Sequence, residues 1–136
     1  MIPSPKPQRK HRAKKKSLRK KSKRRLNREA DNLWSKAVKE PGFCRRCKRM
    51  PPAVQLHAAH IKPKGMFRNH ALRCDLKNGL CLCYSCHLHW AHKDPIGFTE
   101  WLDKEIPGCR EYLNTQAAKH LKFDPEKAIT ELKDSQ

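Results

Sequence analysis

Two Cys-x-x-Cys pairs, Cys44-Arg45-Arg46-Cys47 and Cys83-Tyr84-Ser85-Cys86, constrain this chain more than any other feature. Four thiolates delivered as two knuckles are the sequence form of a closed, tetrahedral zinc site. Residues 48–82 separate the knuckles, a longer gap than a simple zinc ribbon has, so something sizeable is inserted between them. Cys74, Cys81 and Cys109 read as small core or surface residues. The total of 7 cysteines is odd, which leaves at least one outside any complete disulfide set. No apolar run is long enough to span a bilayer, and Met1-Ile2-Pro3-Ser4-Pro5 lacks the apolar stretch of a secretory signal. The expectation is a cytoplasmic chain, where paired cysteines bind metal rather than each other.

Charge divides the sequence. Of 32 Lys+Arg against 13 Asp+Glu, residues 1–28 hold 14 bases and no acid, and residues 29–136 hold the other 18 bases and all 13 acids. The first segment thus carries +14 of the +19 total. With Leu18 and Leu26 almost alone among basic and polar residues, it buries too little apolar surface to offset ordering entropy, and we expect residues 1–28 to be a disordered arm when free. Its Lys14, Lys15, Lys16, Arg19, Lys20, Lys21, Arg24 and Arg25 suit nucleic-acid phosphates, because each neutralised phosphate releases counterions without reading sequence.

The folded unit is then residues 29–136, small enough that a metal is a natural source of stability. Leu33, Trp34, Ala37 and Val38 recur at helical spacing between Glu29 and Glu40, before Pro41-Gly42. Val54, Leu56 and Ile61 mark a short strand region. Residues 62–77 are polar and irregular, and Gly79–Leu82 return to apolar character. A helix is expected from Cys86 to about Lys93. Asp94-Pro95 starts another through Phe98, Trp101 and Leu102, Pro107-Gly108 breaks it, and Asp124-Pro125 opens a last one with Ala128, Ile129 and Leu132. The fold class is α+β, with a zinc-stapled core at 43–92 and helices over 94–134.

Six histidines, His57, His60, His70, His87, His89 and His92, crowd within and just after the insertion. The stretch His57-Ala58-Ala59-His60-Ile61, then Asn78-Gly79-Leu80, then Leu82-Cys83-Tyr84-Ser85-Cys86-His87, resembles the HNH endonuclease superfamily with its ββα-metal (His-Me finger) motif, over about Phe43 to His92. Arg73-Cys74-Asp75-Leu76-Lys77-Asn78, with Pro95, Phe98 and Trp101 downstream, more loosely resembles phage HNH proteins, including the NinG/Rap recombination nucleases.

The resemblance implies a metal-dependent DNA endonuclease. His60 matches the general base, Asn78 the middle residue that braces the loop, and His87 the helix ligand of a catalytic Mg²⁺ or Mn²⁺. Cys44, Cys47, Cys83 and Cys86 would hold the structural zinc. Many family members carry a second metal ligand immediately before the base, where this chain has Ala59. His57, Asp75 and His92 are the alternatives. His57 is favoured, although three residues from His60 it requires a bulge or the strand's end, and His92 stands about 140° around an ideal α-helix from His87. His89 and His92, three apart, should share a face. Lys62, Lys64, Arg68 and Arg73 would hold the phosphate backbone of duplex or branched DNA. The resemblance also allows recombination or packaging partner proteins and, for a phage-encoded chain, the cytoplasm of a bacterial host. The alternative class is a non-catalytic zinc-knuckle nucleic-acid-binding protein.

Overall fold

A computed structural model describes the backbone of residues 8–136 and the side chains of residues 22–136. Helix α1 runs from Gln8 to Val38. Strand β1 (Leu56–His60) pairs antiparallel with β2 (Gly79–Cys83), and between them lie two short 3₁₀ turns, Ala71–Cys74 and Leu76–Asn78. After β2 comes a π-helical segment, Ser85–Ala91. Three helices follow, α2 (Pro95–Glu105), α3 (Cys109–Ala118) and α4 (Pro125–Asp134). The chain is a small α+β domain with a two-stranded sheet. No described helix is long and apolar enough to cross a membrane.

The expected disordered arm differs from this backbone, which is helical from Gln8 onward; residues 1–7 lie outside the described residues. Lys, Arg, Gln and Ala are good helix formers, and extending a helix already nucleated by packing adds one bond per residue fixed. The packed part is the carboxyl-terminal half, where Ala30, Trp34 and Val38 join Ile129 and Leu132 of α4 in one buried cluster. Helix α1 stops before Gly42, whose φ of 79° a side chain would resist. Asp94 and Asp124 cap α2 and α4 as expected, each accepting backbone N–H bonds with Pro at the first helical position. Helix α3 was not expected from the sequence, although Cys109, Leu113 and the partly buried Tyr112 and Ala117 recur at helical spacing.

The hairpin separates two cores. Ala59, Leu80 and Leu82 join Leu72, Leu102, Leu113 and Cys44, Cys83, Cys86 and Cys109 in the larger cluster, while Ala58 packs against the α1–α4 cluster, which includes Cys74. The ladder is regular from Leu56 opposite Cys83 to His60 opposite Gly79, so His57 and Ala59 face one side and Ala58 and His60 the other. Cys74, Cys81 and Cys109 are buried core residues.

Candidate metal centre and histidine cluster

The four knuckle cysteines converge as their spacing predicts. The Sγ atoms of Cys44, Cys47, Cys83 and Cys86 lie within 4.8 Å of one another. A tetrahedron of thiolates at the usual zinc–sulfur bond length has edges of about 3.8 Å, and the Cys47 and Cys83 sulfurs are 3.8 Å apart. The first knuckle turns because Cys44 donates its N–H to the Arg49 carbonyl (2.9 Å) and accepts from the Lys48 N–H (2.8 Å). Lys48 adopts a φ of 64° to complete it. In the second, the Cys86 N–H points at Cys83 Sγ, 3.4 Å away.

Four thiolates around a divalent ion leave a net charge of −2, and two guanidiniums answer it. Arg49 Nε donates to Cys47 Sγ (3.5 Å). Arg46 donates to Cys86 Sγ (3.7 Å) while its guanidinium lies 3.7 Å over the Trp90 ring. Burial opposes ionisation of Cys47, but Arg49 holds its thiol down at about 6; burial pushes Cys86 up to about 12. The donor set fits a structural zinc.

Beside this centre His57 reaches His87, their Nδ1 atoms 3.0 Å apart. No bulge is needed. His57 lies two residues before Ala59 and so shares its face, the side on which His87 sits. His92 joins them, its ring centroid 4.7 Å from that of His87. The α-helical angle expected for that pair does not apply, because the segment is π-helical: the His92 N–H bonds the His87 carbonyl (3.2 Å), stacking residues five apart. His89 packs against Tyr84, ring centroids 5.3 Å apart. Burial lowers the His87 pKa to about 4, helped by the nearby His92, His57 and His60. The shift favours the neutral ring, the form in which imidazole binds metal. At 3.0 Å the contact is an N–H···N hydrogen bond between the two rings, and the same separation is near the edge of about 2.9 Å between neighbouring ligands of an octahedral ion. Among the described residues, however, only the cysteine quartet groups three or more His, Cys, Asp or Glu donors closely enough to hold a metal unaided.

His60 looks the other way. Its ring stacks on Trp34 of α1, centroids 3.9 Å apart at 15°, and its Nε2 meets the Arg73 carbonyl at 2.9 Å. A carbonyl only accepts, so Nε2 carries the proton and Nδ1 keeps its lone pair. Among the described residues Nδ1 has no hydrogen-bond partner, and it is not buried. Burial lowers the His60 pKa, opposed by the Arg73 hydrogen bond. Asn78, fully buried, locks the base of the hairpin: Oδ1 accepts from the Lys62 N–H (2.6 Å), and Nδ2 donates to the carbonyls of Lys62 (3.2 Å) and Leu72 (3.0 Å).

The remaining candidates divide. Asp75 is occupied, one carboxylate oxygen taking the Lys77 N–H (2.9 Å) and the other the Tyr112 hydroxyl (2.7 Å), so it is a turn residue rather than a ligand. Arg73 departs from its expected phosphate role. It is 7% exposed, and its guanidinium grips Asp31 through Nε (2.9 Å) and Nη2 (2.8 Å). Lys64 Nζ also pairs with Asp31 at 2.7 Å. Arg24, Arg25 and Arg68 are exposed and Lys62 is partly so. The side chains of Lys14, Lys15, Lys16, Arg19, Lys20 and Lys21 lie outside the described residues. Asp31 and Trp34 went unnoticed as neighbours of His60 because nothing local links them to a residue so far along the chain.

Comparison with known proteins returns nothing: no family model matches the chain, and no curated protein or solved structure is significantly similar to it.

Proposed function

We propose that this protein is a metal-dependent DNA endonuclease of the HNH kind, with a structural zinc in the four-cysteine centre and a divalent ion at His57 and His87. The observation that carries the reading is the His57–His87 pair, nitrogens 3.0 Å apart and held next to the cysteine centre. The order of His60, Asn78 and His87 along the chain supports it through the resemblance described above.

In this mechanism His60 Nδ1 would take the proton of a water attacking the scissile phosphorus, the Arg73 carbonyl keeping the other ring nitrogen protonated. Because His60 and the His57–His87 pair lie on opposite faces of β1, the reading requires one phosphate to reach both sides of the strand's end. Its lowered pKa keeps it a free base at neutral pH. Asn78 holds the loop that leaves β1 directly after His60. A bound Mg²⁺ or Mn²⁺ would supply positive charge to the phosphate and the leaving oxygen. The basic run ahead of residue 29 and exposed bases such as Arg68 would bind the backbone of duplex or branched DNA, positioning it without selecting sequence. A role in phage DNA processing or recombination, with partner proteins choosing the target, follows from the resemblance alone.

The test is nicking of supercoiled plasmid by the zinc-loaded protein with Mg²⁺ or Mn²⁺, beside His60→Ala and His87→Ala. Both variants should lose cleavage and retain DNA binding. Equal nicking by His60→Ala would remove His60 from the base role. The second reading, a zinc-knuckle nucleic-acid binder without catalysis, is favoured by the cysteine quartet being the one group of three or more metal donors among the described residues. DNA binding with one tightly held zinc and no divalent-dependent cleavage would establish it.

A further inference from the structure

We propose that α1 supplies the positioning residues of the imidazole at His60: Trp34 fixes the plane of the ring, and the Asp31–Arg73 pair fixes the carbonyl that sets its rotation and its tautomer. The inference rests on the reading of His60 as the base and extends it to residues of the first helix.

An imidazole on a strand has two torsions to settle. A face-to-face stack removes tilt of the ring plane, and a hydrogen bond at one edge removes rotation within that plane. Both are present at His60: the indole of Trp34 covers it at 3.9 Å and 15°, and Nε2 meets the Arg73 carbonyl at 2.9 Å. Neither restraint is loose. Trp34 is 3% exposed, and its own Nε1–H donates to the Asp75 carbonyl (2.9 Å), so the indole cannot turn without leaving a buried donor unpaired. Arg73 is held from α1 as well, gripped by Asp31 through two nearly parallel bonds, with Nη1 donating to the Arg68 carbonyl (3.1 Å). Asp31 and Trp34, three apart, share one face of α1 and reach the same segment before β2.

Gly79 makes the arrangement sterically allowed. It is the cross-strand partner of His60, and a Cβ there would lie 2.9 Å from Trp34 Cζ2 and collide with Val38 Cγ2. The absent side chain is what lets the indole descend onto the imidazole.

The experiment compares wild type with Trp34→Leu, Trp34→Phe and Asp31→Asn in the full chain loaded with zinc. Plasmid-nicking kcat and KM are measured, and the tautomer of the His60 ring is read by long-range ¹H–¹⁵N correlation. Trp34→Leu and Asp31→Asn should lower kcat by about 10- to 100-fold with KM nearly unchanged, as misorientation of a catalytic group does. Their His60 ring should become a mixture of tautomers, whereas Trp34→Phe, which keeps an aromatic face, should recover most of the kcat and the single Nε2–H form. An unchanged tautomer in both Trp34→Leu and Asp31→Asn overturns the inference, and so does equal impairment of Leu and Phe at 34. If Trp34→Leu fails to fold, Asp31→Asn decides the matter alone by the same two readouts. A wild-type protein that does not nick DNA refutes the nuclease reading, and the ring tautomers then still report whether α1 holds the imidazole.

Discussion

Removing the metal from the four-cysteine centre should cost this domain much of its stability. Cys47 and Cys83 are 36 residues apart, and a cross-link closing a loop of that length removes about 4 kcal/mol of unfolded-chain entropy. The zinc–thiolate bonds add to that figure, so it is a lower bound. Total domain stabilities are typically about 5–15 kcal/mol, and for a domain near this size each kcal/mol moves Tm by about 4–8 °C. Chelation should therefore lower Tm by at least about 15–30 °C. The assay is thermal unfolding by circular dichroism with and without excess chelator, alongside metal content by mass spectrometry. Cys83→Ser should lose the zinc, whereas Cys109→Ala, outside the quartet, should keep one zinc per chain. One bound zinc whose removal shifts Tm by less than about 5 °C would refute the argument, because the knuckles would then not be what ties residues 44–47 to residues 83–86.

Three further outcomes follow from the packing. Asp31→Asn leaves the nearly buried Arg73 guanidinium without its counter-charge; with Asp31's side chain 23% exposed, the loss should be about 2–3 kcal/mol by urea denaturation, and Arg73→Met in the same chain should recover part of it. Gly79→Ala drives a methyl into Val38 and Trp34 and should destabilise by about 1–3 kcal/mol, with Val38→Ala as partial rescue; a neutral Gly79→Ala would mean that α1 does not sit so close. His60 and His87 both have folded pKa values below the ordinary 6.5, so between 6.5 and about 4 the unfolded chain binds protons that the folded chain does not. Stability should accordingly fall as pH drops through that window, and His87→Gln should flatten the dependence.

The four-cysteine centre was legible because each knuckle is a local object, two cysteines on one tight turn, and spacing alone points to it. Helix starts at Asp94-Pro95 and Asp124-Pro125 were legible for the same reason. What escaped was decided by partners distant in the sequence or by an unusual winding. The charge of Arg73 gave no sign that Asp31, 42 residues earlier, would claim it. The angle between His87 and His92 was read on a 3.6-residue helix, and the i→i+5 bond of the π-helical segment brings the two rings together instead. Helix α3 has its apolar residues at the right intervals, but it begins directly after the Pro107-Gly108 break and was absorbed into it.

The hairpin's alternation explains why two imidazoles three residues apart can serve different ends. In a strand of period two, His57 faces His87 while His60 faces Trp34, and a slip of one residue would exchange them. Register is therefore the quantity the fold must protect. A two-stranded ladder protects it weakly by itself, yet its open end is closed by side-chain and backbone bonds between Asn78 and the residues just after β1: the Ile61 N–H to the Asn78 carbonyl (2.9 Å) and both amide atoms of Asn78 to Lys62. Shifting β1 by one residue would break all three and bury an unsatisfied amide, at about 1–3 kcal/mol for each orphaned group. Among the described residues Asn78 hydrogen-bonds to neither histidine, and by pinning the register it still decides which of them turns toward His87 and which toward α1.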